Sequence, residues 1–156
     1  KWYRLAAEQG YDNAQYRLGL MYENGRGVPK DVEEAVRWFR LAAEQGRASA
    51  GNRLGFMYSA GRGVSQDDKE AVKWYRLASE QGDDDAQYRL GWMYAKGRGI
   101  PKNYMEAYKW TYLSAASGHA KSGEWRDWVA TQMSQSQIEE AQKLARECVA
   151  KNYKGC

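Results

Sequence analysis

The chain holds few residues of the kind that carry out reactions. His119 is its only histidine. A lone imidazole supports neither a metal site, which needs several ligands, nor a nucleophile with its own base. Its counterparts in the repeats described below are Tyr11, Arg47 and Asp83, a junction expected to face solvent. Cys148 and Cys156 are the two cysteines. In a continuous helix they would lie about 12 Å apart, too far to bridge, but Asn152 and Gly155 let the chain turn back. A disulfide pinning the tail to the preceding helix is the expected state, with an oxidising compartment as its corollary; two unpaired thiols are the alternative. Acidic residues recur as helix caps or in the pairs Arg4/Glu8, Arg40/Glu44 and Arg76/Glu80. Such pairs contribute about 0.2–0.5 kcal/mol each on a solvated face. No two carboxylates have a reason to share a substrate. Gly-Arg-Gly recurs, but no copy continues to Gly-Lys-Ser/Thr or follows a strand, so it does not read as a phosphate loop. Neither catalysis, a cofactor nor a metal is expected.

What the chain does carry is a period. Trp2, Trp38, Trp74 and Trp110 are spaced 36 residues apart, in the phrases KWYRLAAEQG, RWFRLAAEQG, KWYRLASEQG and KWTYLSAASG. A second phrase keeps the same interval: AQYRLGLMYENGRGVP, AGNRLGFMYSAGRGVS and AQYRLGWMYAKGRGIP. A unit of this size cannot bury its own apolar face, so neighbours must stack, and the repeated tryptophans read as core pillars. The 156 residues have a mean hydropathy of −0.88, but seven Trp and twelve Tyr supply large buried areas under their polar tips. The net charge of +4 comes from interspersed charges of both signs. By itself it points to neither nucleic acid nor membrane. No apolar run approaches the roughly 18 residues needed to span a bilayer.

The resulting division is 1–10, the end of a partial repeat; repeats 11–46, 47–82 and 83–118; and 119–156, a degenerate repeat with a cap. The opening residue falls in mid-repeat, as expected of the C-terminal piece of a longer chain. Each full repeat is predicted to hold two helices. The first covers about 13–24, 49–60 and 85–96, with Ala14, Leu18, Met21 and Tyr22 on one face; the second covers about 32–45, 68–81 and 104–117. Asp31, Asp67 and Asn103, each followed three residues later by Glu, form a capping-box pattern. Gly19, Gly55 and Gly91 lie inside the first helix, where glycine costs about 1 kcal/mol relative to alanine. That cost is tolerated if helices approach closely there, with the second-helix Trp as the expected neighbour. Beyond Gly118 the pattern decays, and SQSQIEEAQKLARECVAK reads as a Ser-capped amphipathic helix that closes the array.

The patterns A-x-x-x-L-G-x-M-Y-x-x-G-x-G-V and A-x-x-W-Y/F-x-x-A-A-x-x-G resemble the Sel-one-like repeat, a relative of the tetratricopeptide repeat. The resemblance is strong from Lys1 to about Gly118. It implies an all-α fold, a right-handed superhelix (solenoid) of helix hairpins, used as a non-enzymatic scaffold for protein–protein interaction. Bacterial members are commonly exported or associated with the envelope, so a periplasmic or secreted setting is expected, with the cytoplasm as the alternative. In tetratricopeptide-like hairpins the first helix lines a concave groove. That alignment points Asn13, Tyr16, Leu20, Glu23 and Asn24, then Ser49, Asn52, Phe56, Ser59 and Ala60, then Asp85, Tyr88, Trp92, Ala95 and Lys96 at a protein or peptide partner.

Leu20, Phe56 and Trp92 vary between copies while remaining large and apolar, which suits an extended peptide or partner helix. The competing reading is that they pack between helices, and for Tyr16 and Tyr88 core packing is the expectation. Two further functions stand behind this one. One is self-assembly through apolar surface around Trp2 and Leu5. The other, disfavoured, is nucleic-acid binding by the recurrent Arg17, Arg53 and Arg89 and the turn residues Arg26, Arg62 and Arg98, since acidic residues interleave with them.

Overall fold

The computed structural model describes residues 2–156; Lys1, which the reading above assigns to the partial repeat, lies outside them. The described residues form helices and connecting turns, with no strand. In order they are α1 (Trp2–Glu8), α2 (Asp12–Asn24), α3 (Val32–Glu44), α4 (Ala48–Ala60), α5 (Asp68–Ser79), α6 (Asp84–Lys96), α7 (Tyr104–Ala116), α8 (Ser122–Ala130) and α9 (Gln135–Ala150). The chain divides into two compact units, Lys1–Trp74 and Tyr75–Cys156, with the division inside α5.

The helix ends follow from local chemistry. α2, α4 and α6 stop at Gly25, Gly61 and Gly97, whose φ values of 69°, 64° and 66° are left-handed and return an N–H to Met21, Met57 and Met93. α3, α5 and α7 begin under side-chain caps. Asp31, Asp67 and Asn103 accept from the backbone N–H of Glu34, Glu70 and Glu106 at 2.9, 3.1 and 3.0 Å. The boxes expected there are only half made. The cap residues' own N–H groups donate to the carbonyls of Tyr22, Tyr58 and Tyr94 instead. Released from that duty, Glu34 and Glu70 accept the indole N–H of Trp38 and Trp74. In the last copy Glu106 holds Lys109, and the buried Nε1 of Trp110 has no partner among the described residues. The complete capping box is at α9, between Ser134 and Gln137.

In the first unit Val36, Phe39, Leu54, Met57 and Trp74 form one core cluster, and Trp38 packs on a second made by Ala7, Ala14 and Leu18. Trp74 and Trp110 are buried pillars as expected, whereas Trp2 is 84% exposed. In the second unit α7 packs against α6, α8 and α9. Its Leu113 is buried, although the equivalent Leu5, Leu41 and Leu77 are exposed.

Gly19 and Gly91 mark close approach, but not to tryptophan. A Cβ on Gly19 would sit 2.6 Å from Phe39 Cε1, and one on Gly91 would sit 2.7 Å from Thr111 Cγ2 and 3.1 Å from the Ala107 carbonyl. Phe39 and Thr111 are the residues just after Trp38 and Trp110. Successive helical residues point about 100° apart. The glycine therefore admits the neighbour, while the Trp leans elsewhere on the same helix.

The arginines of the Trp phrase also depart from expectation. Arg4, Arg40 and Arg76 do not simply serve a solvated face with Glu8, Glu44 and Glu80. They donate to the hydroxyls of Tyr22, Tyr58 and Tyr94, eighteen positions on. Each bond ties a second helix to the next first helix. In the fourth copy both partners change together, to Tyr112 and Ala130, where the array gives way to the cap.

Candidate functional site

The side chains proposed to meet a partner fall into four groups. Leu20 is half-buried and rests on the core beneath α2. Phe56 and Trp92 are half-buried on α4 and α6, each beneath a guanidinium from the following turn. Arg62 stands 5.9 Å from the Phe56 ring centre, and Arg98 stands 5.4 Å from that of Trp92. These anchors keep a face in solvent and carry a cation beside it.

A second group is structural. Tyr16 packs against Phe39 with ring centres 5.7 Å apart, under the guanidinium of Arg47. Glu23 was expected to line the groove and does not. It is only 3% exposed, with one oxygen 2.8 Å from Arg53 Nε and the other 3.7 Å from Arg62. Ala95, at the same place in its repeat, is buried too. Helix geometry explains this, because position 23 lies on the side of α2 that carries Gly19, four residues earlier. A carboxylate buried there is tolerable because two guanidinium groups neutralise it.

Tyr88, Asp85 and His119 form the third group. His119 does not face solvent. Its ring stacks on Tyr88 with centres 4.7 Å apart, Nδ1 is 2.8 Å from Ser122 Oγ, and Nε2 is 3.3 Å from Asp85 Oδ1. Asp85 also holds Arg89 at 2.9 Å. The Asp, His and Ser are side by side, but Ser122 is fully buried and its oxygen is also 2.7 Å from Ser114 Oγ, which donates to the Asp84 carbonyl. A nucleophile needs a face open to its substrate, so this relay joins α6, α7 and α8 rather than reacting. Nearby, burial pushes the Asp83 carboxyl above its ordinary value of 3.8, although the Ala86 N–H it accepts pulls the other way.

Asn13 and Lys96 are exposed, and Asn52 is half-buried. Lys96 is more engaged than its exposure suggests. Its ammonium lies 5.3 Å from the Trp125 ring centre and 5.2 Å from that of Trp128, and those indoles stack 4.8 Å apart. Trp128 meets Tyr104 edge-on at 6.4 Å. Sequence reasoning missed Trp128, although it sits 36 residues after Trp92 and so extends the series Leu20, Phe56, Trp92. The repeat interval alone would have found it, but the Asp127 beside it, in the glycine position, made that copy look spent. The recurrent arginines are likewise occupied: Arg53 by Glu23, Arg89 by Asp85, and Arg17 over the Tyr3 ring at 5.8 Å.

Cys148 and Cys156 are joined in a disulfide, with Cα atoms 5.6 Å apart. Asn152 and Tyr153 turn the chain back with φ values of 51° and 63°. The tail then delivers the Cys156 carbonyl to Lys109, a buried ammonium 2.6 Å away that also pairs with Glu106. No group of His, Cys, Asp and Glu among the described residues could hold a metal ion, and no helix among them is long and apolar enough to cross a membrane.

Comparison with known proteins places these features in a family. The Sel1 repeat model matches residues 1–11, 12–46, 48–83 and 84–119. The structure is similar to that of c5321, a protective antigen present in uropathogenic Escherichia coli strains and displaying an SLR fold. The identity is 47% and the TM-score 0.76, over 78% of this chain and 26% of that one. A Sel1 repeat protein from Oxalobacter formigenes gives the same TM-score of 0.76 at 39% identity, over 80% of this chain and 94% of its own. DAP3-binding cell death enhancer 1 of Rattus norvegicus is 49% identical over 35 residues, about one repeat, which is 22% of this chain and 7% of that protein. The chain thus spans a small part of the curated relative it matches.

Proposed function

The chain belongs to the Sel1 repeat family, and on that footing we propose that it is a scaffold that docks a peptide or partner protein on the exposed faces of its first helices. Sel1 repeats are generally protein–protein interaction modules and typically non-enzymatic. The finer reading rests on one observation. At the interval of the repeat, Leu20, Phe56 and Trp92 change identity yet stay large, apolar and partly exposed, while most residues that build the three full hairpins recur; Trp128 continues the apolar series into α8. Buried positions also vary, as Phe39 and Thr111 do against their glycines, but apolar surface kept in solvent is not required by the core. Trp and other aromatics set among cations are the residue types that dominate binding hot spots.

The arginine pairing described above argues against a continuous phosphate-binding ladder. The disulfide supports an exported or envelope setting, since such bonds persist in oxidising compartments. Affinity capture comparing Phe56→Ala with Leu41→Ala tests the docking face. Leu41 is 43% exposed but lies on a second helix, α3. With thermal melts unchanged, loss of the captured partner in the Phe56 variant alone supports the proposal. Equal retention in both, or loss in the Leu41 variant alone, contradicts it.

A further inference from the structure

The cluster around Trp128 carries more than an apolar anchor. Two indoles, Trp125 and Trp128, stack with their planes 13° apart, and Trp128 is 38% exposed. Tyr104 stands edge-on to Trp128. Two cations rest on these rings: Lys96 on both indoles, and Lys102 on Tyr104 at 5.8 Å. Both lysines are exposed, and neither has a carboxylate within ion-pair reach among the described residues. The acid of α8 beside Trp128, Asp127, is already held by Arg126 at 2.8 Å.

Cation–π contact alone is a modest attraction, about 0.5–1 kcal/mol at an exposed site. An ammonium lying over a ring keeps N–H donors free, and a carboxylate can take them without lifting it from the ring. The rings in turn fix the position of each cation, which lowers the entropy lost when an anion arrives. The chain's net charge of +4 adds a weak general attraction for acidic partners.

We infer that the surface formed by Lys96, Lys102, Tyr104, Trp125 and Trp128 receives an acidic segment of a partner protein, one that alternates carboxylate and apolar side chains. The apolar groups lie on the indole pair and the carboxylates meet the two lysines. This deepens the proposed docking function and rests on it. A single nucleic-acid strand offers the same two elements, flat rings and anions. Tracking such a strand takes a cationic groove along several phosphates, and here the recurrent Arg53 and Arg89 are already paired with carboxylates.

The test is selection from a phage library of random short peptides, run on the unmodified protein and on the double variant Lys96→Gln, Lys102→Gln. Both lysines are exposed, so the variant should keep its melt, and circular dichroism checks this. Enrichment of peptides mixing Asp or Glu with Leu, Phe or Trp is expected on the unmodified protein. The double variant should lose the acidic preference while keeping the apolar one. Peptides so selected should bind it roughly fivefold more weakly at low salt, and that difference should shrink between about 50 and 300 mM salt. Apolar enrichment with no acidic preference on either protein overturns the inference and leaves the docking face intact. No enrichment of any kind overturns both. Oligothymidylate that binds as tightly as the best peptide, and loses affinity in the double variant, overturns the inference in favour of nucleic acid.

Discussion

Replacing Gly91 by alanine sets two physical effects against each other, and the structure decides the sign. Gly91 is inside α6, so helix propensity alone favours alanine by about 1 kcal/mol. The new Cβ would lie 2.7 Å from Thr111 Cγ2, 3.1 Å from the Ala107 carbonyl oxygen and 3.3 Å from the Thr111 backbone nitrogen. Two of those atoms belong to the backbone of α7 and cannot swing aside. The third is fixed, because the buried Thr111 hydroxyl donates to the Ala107 carbonyl at 2.8 Å. Overpacking of this kind costs about 1–3 kcal/mol, and the rigid neighbours place it towards the upper end. Gly91→Ala should therefore destabilise by about 1–2 kcal/mol net, a fall of about 2–8 °C in Tm for a chain of this size. Urea unfolding followed by far-UV circular dichroism measures it. Gly123→Ala is the control: it lies in the first turn of α8 with nothing within 4 Å of its added Cβ, and should be neutral or slightly stabilising. Thr111→Ser removes Cγ2 and keeps the hydroxyl, so the double variant should recover about 1 kcal/mol beyond additivity. A Gly91→Ala protein as stable as the unmodified one, or no coupling to Thr111→Ser, would refute the close-approach argument.

Three further outcomes follow from the same geometry. Tyr58→Phe should cost about 1 kcal/mol by stranding Arg40, and a double-mutant cycle with Arg40→Met should show coupling; additive effects would mean that the Arg–Tyr bond ties nothing together. Cys156→Ser opens a closed loop with a sequence separation of 8, which in the chain-entropy treatment lowers stability by about 2.5 kcal/mol. Intact mass under non-reducing conditions should show the unmodified chain lighter by two hydrogens than after reduction, and equal masses would deny the bridge. Asp83 has a folded pKa raised by burial, so the folded state binds the proton more tightly than the unfolded one, and stability falls as pH rises from 3.8 through the folded value. Asp83→Asn keeps a capping oxygen and removes that loss. Its urea midpoint should exceed the unmodified protein's at neutral pH and converge with it towards pH 3.8; a constant gap would show that titration is not the cause.

The helices were legible because their signals are local. The apolar spacing of Ala14, Leu18 and Tyr22, the caps at Asp31 and Asn103, and the left-handed Gly25 and Gly97 each act within a few residues of themselves. What the sequence left hidden depended on rotation about a helix axis or on partners in another repeat. Gly91 announced a close approach but not its partner, because Trp110 and Thr111 are one residue and about 100° apart. Glu34 stood in a capping-box position, yet its choice between the Asp31 backbone and the Trp38 indole required the fold of the whole hairpin. Position 23 looked open by alignment, and only the placement of Arg53 and Arg62 shows that Glu23 is enclosed. His119 seemed to stand alone because its partners, Asp85 and Ser122, bear no motif that links them to it. Trp128 could have been found by counting, since it keeps the interval after Trp92.

Docking on the exposed sides of the first helices is the central proposal, and amide hydrogen exchange with the captured partner bound and unbound reads it directly. Slowed exchange concentrated on α2, α4, α6 and α8, with α3, α5 and α7 little changed, is the predicted result. Protection concentrated instead on α3, α5 and α7, around the exposed Leu41 and Leu77, would contradict it.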